Sequence, residues 1–217
     1  MVTILVNMST TINLKQVAYD KLKGMILSNE LAPNSYLEEK KLCEMMGMSR
    51  TPIREAVNQL CQEDFVQTIQ NKGIFVTEIS LQRARELFEM RYMIEPLVLK
   101  LAFDTIDSKK LREFSDKTDE AMAADDASTL NDLDYQIHNY FTYCCPNSML
   151  RKTACNIADH FQRIRTMSFY SHERTTNGAL EHFKLFELIN ERKLKEAMDL
   201  LAVHIHSTES FYLRSIQ

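Results

Sequence analysis

Apolar residues recur along most of this chain at intervals of three and four, the period of a helix with one buried face. Residues 13–29 carry Val17, Leu22, Met25 and Ile26 at such intervals and predict a first helix. Leu31-Ala-Pro-Asn34 ends it with a turn signal. A short second helix is expected over Leu37–Met46, with Leu42, Met45 and Met46 as its apolar positions and Lys40 and Lys41 on the solvent side. In a third, Ile53, Ala56, Val57 and Leu60 stand at i, i+3, i+4 and i+7 and form a single stripe. The period then changes. Phe65-Val-Gln-Thr-Ile69 and Ile74-Phe-Val-Thr-Glu-Ile79 are rich in strand formers and flank Gln70-Asn-Lys-Gly73, which predicts a hairpin. Three helices closed by a hairpin make a winged helix-turn-helix, assigned to residues 1–79.

From Ser80 onward the signal is helical throughout, and residues 80–217 are expected to form an all-helical bundle, giving a mainly α protein. The predicted helices are Leu81–Phe103, Lys109–Ala124, Thr129–Cys144, Ser148–Ser171, Ala179–Glu191 and Leu194–Ile216, with Thr175-Thr-Asn-Gly178 read as a loop. The first of them should turn Leu87, Phe88, Met90, Ile94, Leu97 and Leu101 inward and should be bent, or deprived of one hydrogen bond, by Pro96. The last packs through Ala197, Leu200, Leu201 and Ile205.

Composition narrows the setting. The 217 residues suffice for two modest domains. No apolar run reaches membrane-spanning length. The patch Val2-Thr-Ile-Leu-Val6 lacks a basic flank and is too short for an export signal. Five cysteines, with Cys144 and Cys145 adjacent, do not suggest a disulfide framework, so a reducing cytoplasm is expected. A net charge of −4 would argue against a nucleic-acid partner, but a local cationic patch can override the total.

Such a patch opens the third helix. Gly47 suits a turn that residues with a β-carbon resist. Ser49 is placed as an N-cap whose hydroxyl can accept from the first turn, where Pro52 loses nothing by lacking a donor. Arg50, Thr51 and Arg54 lie off the apolar stripe near the helix N-terminus, where a recognition helix presents its side chains to bases and phosphates. Lys72, at the wing tip beside Gly73, is either a phosphate contact or a solvated turn lysine.

A second constellation lies in the helical region. Asp134 and His138, four apart, share one helix face, and His182 and His204 fall in other predicted helices. Three imidazoles and a carboxylate suit a divalent transition metal, and bundles build metal sites from facing helices. The bland alternative is an accidental surface pair. His206 is two residues from His204 and must face away from it.

Taken together these residues resemble the GntR family of bacterial transcription regulators, in its FadR-like subgroup. The first domain is similar through Leu31-Ala-Pro, Leu37-Glu-Glu-Lys-Lys-Leu-Cys-Glu, Gly47-Met-Ser-Arg-Thr-Pro-Ile-Arg-Glu-Ala-Val and Lys72-Gly-Ile-Phe-Val76. The second resembles the helical effector domain called FCD, through Arg91-Tyr-Met-Ile-Glu95, Asp134-Tyr-Gln-Ile-His138, Asn147, Glu181-His182 and Ala197 through His204. Three positions depart from the family pattern: Asn34 replaces a glycine, Ile137 a common phenylalanine, and Lys40 an arginine whose bidentate fork is lost.

The resemblance implies that Lys40, Arg50, Thr51, Arg54, Lys72 and Gly73 contact double-stranded DNA, with Arg50 and Arg54 suited to guanine edges. It implies a homodimer on an inverted-repeat operator. It further implies that Asp134, His138, His182 and His204 hold zinc or nickel, and that a small carboxylate effector completes the coordination and pairs with Arg91, which can equally form a structural salt bridge within the bundle. Arg163 and Arg165 are further candidate anion partners. The expected function is a ligand-controlled regulator, most often a repressor in this family. A metal-dependent hydrolase or oxygenase is the competing reading, weakened by the lack of a glutamate placed as general base and of any His-Glu-x-x-His. A third keeps the regulator and lets the histidines bond a ligand or one another without a metal.

Overall fold

The computed structural model describes residues 13–167 and 172–215. The Val2–Val6 patch and the predicted ends of the fourth and sixth bundle helices, past Met167 and Ser215, lie outside them. The chain divides into two compact units between Glu78 and Ile79.

The first unit contains α1 (Leu14–Leu27), β1 (Tyr36–Leu37), α2 (Glu39–Met46), α3 (Arg50–Gln62), β2 (Val66–Ile69) and β3 (Gly73–Val76). Its core joins Ala18, Leu22 and Ile26 of α1 to Ile53, Ala56, Val57 and Leu60 of α3, with Phe65, Val66 and Val76 beneath. Val17, expected inside, is 43% exposed, because the buried face of α1 runs through Ala18 and Tyr19 instead. The wing is an antiparallel pair, Val66 opposite Val76 and Ile69 opposite Gly73. Leu37 does not open α2. It pairs with Ile74 as part of a third strand, which buries its side chain, and the sheet order is β1-β3-β2. Asn34 does adopt a left-handed backbone, with φ 65°.

Between α2 and α3, Gly47 has φ 63° and ends α2 with its own N–H and that of Met48 bonded back to Glu44 and Cys43. Ser49 occupies the N-cap position of α3, but its hydroxyl makes no capping bond. Pro52 stands in the first turn, where no partner is lost.

The second unit comprises α4 (Leu81–Ala102), α5 (Ser108–Ala123), α6 (Ala127–Cys144), α7 (Ser148–Met167), α8 (His172–Asn190) and α9 (Leu194–Ser215). Side-chain caps start several of them. Ser80 accepts from Arg83 N, Asp126 from Thr129 N, and Asn147 from both Met149 N and Leu150 N. Helix α4 lies along α9 and α7, and α6 packs against α4, α5, α7 and α8.

Two expectations fail here. Met90, Leu97 and Leu101 of α4 face outward, because the buried face runs through Ala84, Leu87, Phe88, Arg91, Val98, Leu99 and Ala102. Thr175–Gly178 is not a loop but the second turn of α8. Residues of low helix propensity are held helical there by packing, with Gly178 buried against Arg174 and His204.

Candidate metal centre and nucleic-acid interface

Helix α6 presents Asp134 and His138 one turn apart, α8 presents His182 and α9 presents His204. The three rings are buried. Their Nε2 atoms converge on Asp134. His138 Nε2 lies 3.2 Å from His204 Nε2 and 3.4 Å from His182 Nε2. Asp134 Oδ1 stands 3.7, 3.6 and 3.3 Å from the Nε2 of His138, His182 and His204 respectively. The spacing brings together all four residues singled out in the sequence, and His206 points away, 71% exposed.

Behind the rings stand carboxylates. Glu95 Oε2 of α4 lies 2.6 Å from His138 Nδ1, and Glu181 Oε2 of α8 lies 2.7 Å from His204 Nδ1. A carboxylate only accepts, so both Nδ1 atoms carry the proton and both Nε2 atoms are lone pairs facing each other. Two lone pairs at 3.2 Å repel unless a cation lies between them. A proton does not serve. Burial pushes His138 down to about 4 although Glu95 pulls it upward, and burial likewise lowers His182 and His204. A divalent ion fits. Metal–ligand bonds of about 2.0–2.2 Å set tetrahedral donors about 3.3–3.6 Å apart, close to the spacing observed.

Arginines close the site. Arg91, on the buried face of α4, is joined through Nε to Glu95 Oε1. Its guanidinium lies 3.9 Å from the Phe161 ring centroid, and its Nη1 is buried with no hydrogen-bond partner among the described residues. Burial would raise the Glu95 carboxyl, but Arg91 and His138 outweigh it and hold the group well below the usual carboxylate range. Arg165 of α7 pairs with Asp134 Oδ2. Arg174 of α8 donates to Glu181 at 2.9 Å and to Thr208 at 2.8 Å. Arg163 is buried, which lowers its guanidinium to about 10.

Glu95 and Glu181 carry part of the family resemblance, but the sequence assigns them no role. The salt bridge weighed for Arg91 had no named partner, although Glu95 stands at i+4. Glu181 could not be paired by spacing, since it serves His204 of another helix and not its neighbour His182. Arg174 lay between the helix predicted to end at Ser171 and the loop predicted at Thr175–Gly178, and was assigned no role.

In the first unit Arg50, Thr51 and Arg54 stand exposed on the first turns of α3, and Lys40 is exposed on α2. Arg54 Nε donates to Glu39 Oε1 at 2.8 Å. Lys72 is exposed in the wing turn. Gly73 has φ 109°, with the Tyr36 ring against it.

Comparison with known proteins identifies both units. Residues 14–76 match the model described as bacterial regulatory proteins, gntR family, and residues 86–207 match the FCD domain. The chain is 27% identical to the Nta operon transcriptional regulator of Aminobacter aminovorans over 83% of its own length and 86% of that protein's. It is 24% identical to the HTH-type transcriptional repressor RspR of Escherichia coli, covering 88% and 85%. Among solved structures it is similar to E. coli McbR/YncC, with TM-score 0.81, 16% identity and coverage of 95% and 100%. It is also similar to the metal-free FCD domain of TM0439, with TM-score 0.57, 24% identity and coverage of 64% and 97%. Within the described residues no helix is long and apolar enough to cross a membrane. The family and these relatives are transcription regulators and not enzymes, and this chain belongs with them, as a member of the GntR family carrying an FCD domain.

Proposed function

We propose that this regulator is a repressor, and that a small organic acid, held at a metal centre in the helical domain, sets its affinity for an operator. Residues 1–79 bind DNA, and residues 80–217 bind effector and metal and form the dimer. The observation that carries the effector site is the inward convergence of Asp134, His138, His182 and His204, with Glu95 and Glu181 fixing two lone pairs toward the centre. Zinc or nickel suits three imidazoles and a carboxylate. The bound ion supplies a positive point for a carboxylate. The protein supplies orientation, and the buried Arg91 Nη1, left without a partner among the described residues, is a donor for the acid's oxygens. The name of RspR as a repressor supports the sign of regulation. The five free cysteines support a cytoplasmic setting.

On the DNA, Arg50 and Arg54 read base edges, and Lys40, Thr51, Lys72 and Gly73 fix register on the backbone. The homodimer, placed on an inverted repeat, is supported by an exposed apolar stripe on α4. Met90, Met93, Leu97 and Leu101 follow one helical line and are 41%, 71%, 43% and 37% exposed.

The site is tested by titrating zinc and nickel calorimetrically into untagged, chelator-stripped protein. One ion should bind per chain. Glu95→Gln, which weakens the hold on the His138 proton, should reduce affinity about 10–100-fold. No binding heat and no thermal shift with either ion would sink the metal centre.

A further inference from the structure

Glu39 is a negative charge where the proposed DNA surface calls for positive ones. It opens α2, its side chain is 27% exposed, and its carboxylate accepts from Arg54 Nε at 2.8 Å. The Arg50 charge also acts on it. A carboxylate beside a phosphate backbone costs affinity, so retaining one there needs a compensating gain.

The geometry of the contact supplies that gain. A guanidinium has three nitrogens in one plane and can meet a base edge through Nε and one terminal nitrogen, or through both terminal nitrogens. Glu39 occupies Nε. The side-on approach is then closed, and both terminal nitrogens remain for an acceptor pair such as O6 and N7 of guanine. The bond also joins the start of α2 to the first turns of α3, across the turn that Gly47 closes. An unheld arginine on an exposed helix would sample many rotamers and settle on the nearest phosphate.

We propose that Glu39 is a positioning residue for sequence recognition: it holds Arg54 by Nε so that the two terminal nitrogens face one base pair and not the backbone. This rests on the reading of Arg54 as a base contact.

The test starts with an operator selected from a random duplex library by the full-length dimer. Anisotropy then gives dissociation constants for that operator, for each single base-pair change in it and for a scrambled duplex, at two salt concentrations. The proteins are wild type, Arg54→Ala, Glu39→Ala and Glu39→Gln, each with its melting temperature. Arg54→Ala should lose discrimination at one base pair per half-site. Glu39→Ala should lose about tenfold of discrimination at that same base pair, within the range of one bidentate contact. Its affinity for scrambled duplex should hold or rise, since a repelling charge has gone. Glu39→Gln, whose amide oxygen still accepts from Nε, should fall between.

If Glu39→Ala keeps full discrimination at the Arg54 position, the inference is overturned and the reading of Arg54 survives. If it weakens selected and scrambled duplexes alike with a lower melting temperature, Glu39 is a brace between helices and the inference is again overturned. If Arg54→Ala itself leaves discrimination intact, the base-reading role fails and the inference with it.

Discussion

Three imidazoles in the helical domain are kept uncharged by burial, while carboxylates behind two of them hold the outer ring nitrogens. This has a measurable cost in acid. His138 protonates at about 4 in the native protein, against about 6.5 in an unfolded chain. Between those values the unfolded chain binds a proton that the native chain lacks. Stability therefore falls as pH falls through this window, by up to about 1.4 kcal/mol per pH unit for one such group. His182 and His204 are shifted in the same direction. Urea midpoints of metal-free protein at pH 7.5 and pH 5.0 should drop more for wild type than for His138→Gln; equal drops would contradict the account. Much of this site was legible before the fold. Asp134 and His138 sit at helical spacing on one face, and His182 and His204 fall in helices. The carboxylates were not assigned, because Glu95 and Glu181 each act on a histidine of a different helix, and no spacing along one chain segment encodes that. Arg91 was expected either to meet the acid or to form a salt bridge within the bundle. That its Nε is engaged by Glu95 and only Nη1 remains was not legible.

The elements obeyed local rules where packing left them free and broke them where it did not. The stripe on α3 and the left-handed Gly47 follow from local chemistry, and both were readable. The strand at Tyr36–Leu37 was not, since it exists only by pairing with β3. The first turns of α8 defeat their own propensity because they place Arg174 on Glu181 and Thr208. On α4 the apolar residues were legible, but not which of them face out, since Arg91 occupies the buried face with Glu95 as partner. The wing turn shows a stricter constraint. At Gly73 a β-carbon would lie 2.5 Å from the Tyr36 ring, which can swing aside, but the φ of 109° cannot be relieved that way. Gly73→Ala should cost about 1–3 kcal/mol locally. Hydrogen exchange should show faster opening of the Val66–Val76 amides with no change in α4–α9; unchanged wing protection would contradict this.

At the scale of the whole molecule, the proposed regulation requires an effector that favours one arrangement of the proposed dimer over another, since equal affinity for both shifts nothing. The dimer itself is open to a direct test. Met93→Lys puts a charge in the middle of the exposed α4 stripe and should shift sedimentation from dimer toward monomer at micromolar concentration, whereas an undisturbed dimer would remove α4 from the interface. The central claim is that acid, metal and operator are linked. The most direct measurement is anisotropy binding to the DNA upstream of the protein's own gene, for metal-loaded and metal-stripped protein, with and without a panel of small carboxylic acids. Preferential binding over scrambled duplex, weakened about fivefold or more by one acid and only in the loaded protein, is the predicted result. Operator affinity that ignores every acid, or responds equally without the metal, would contradict it.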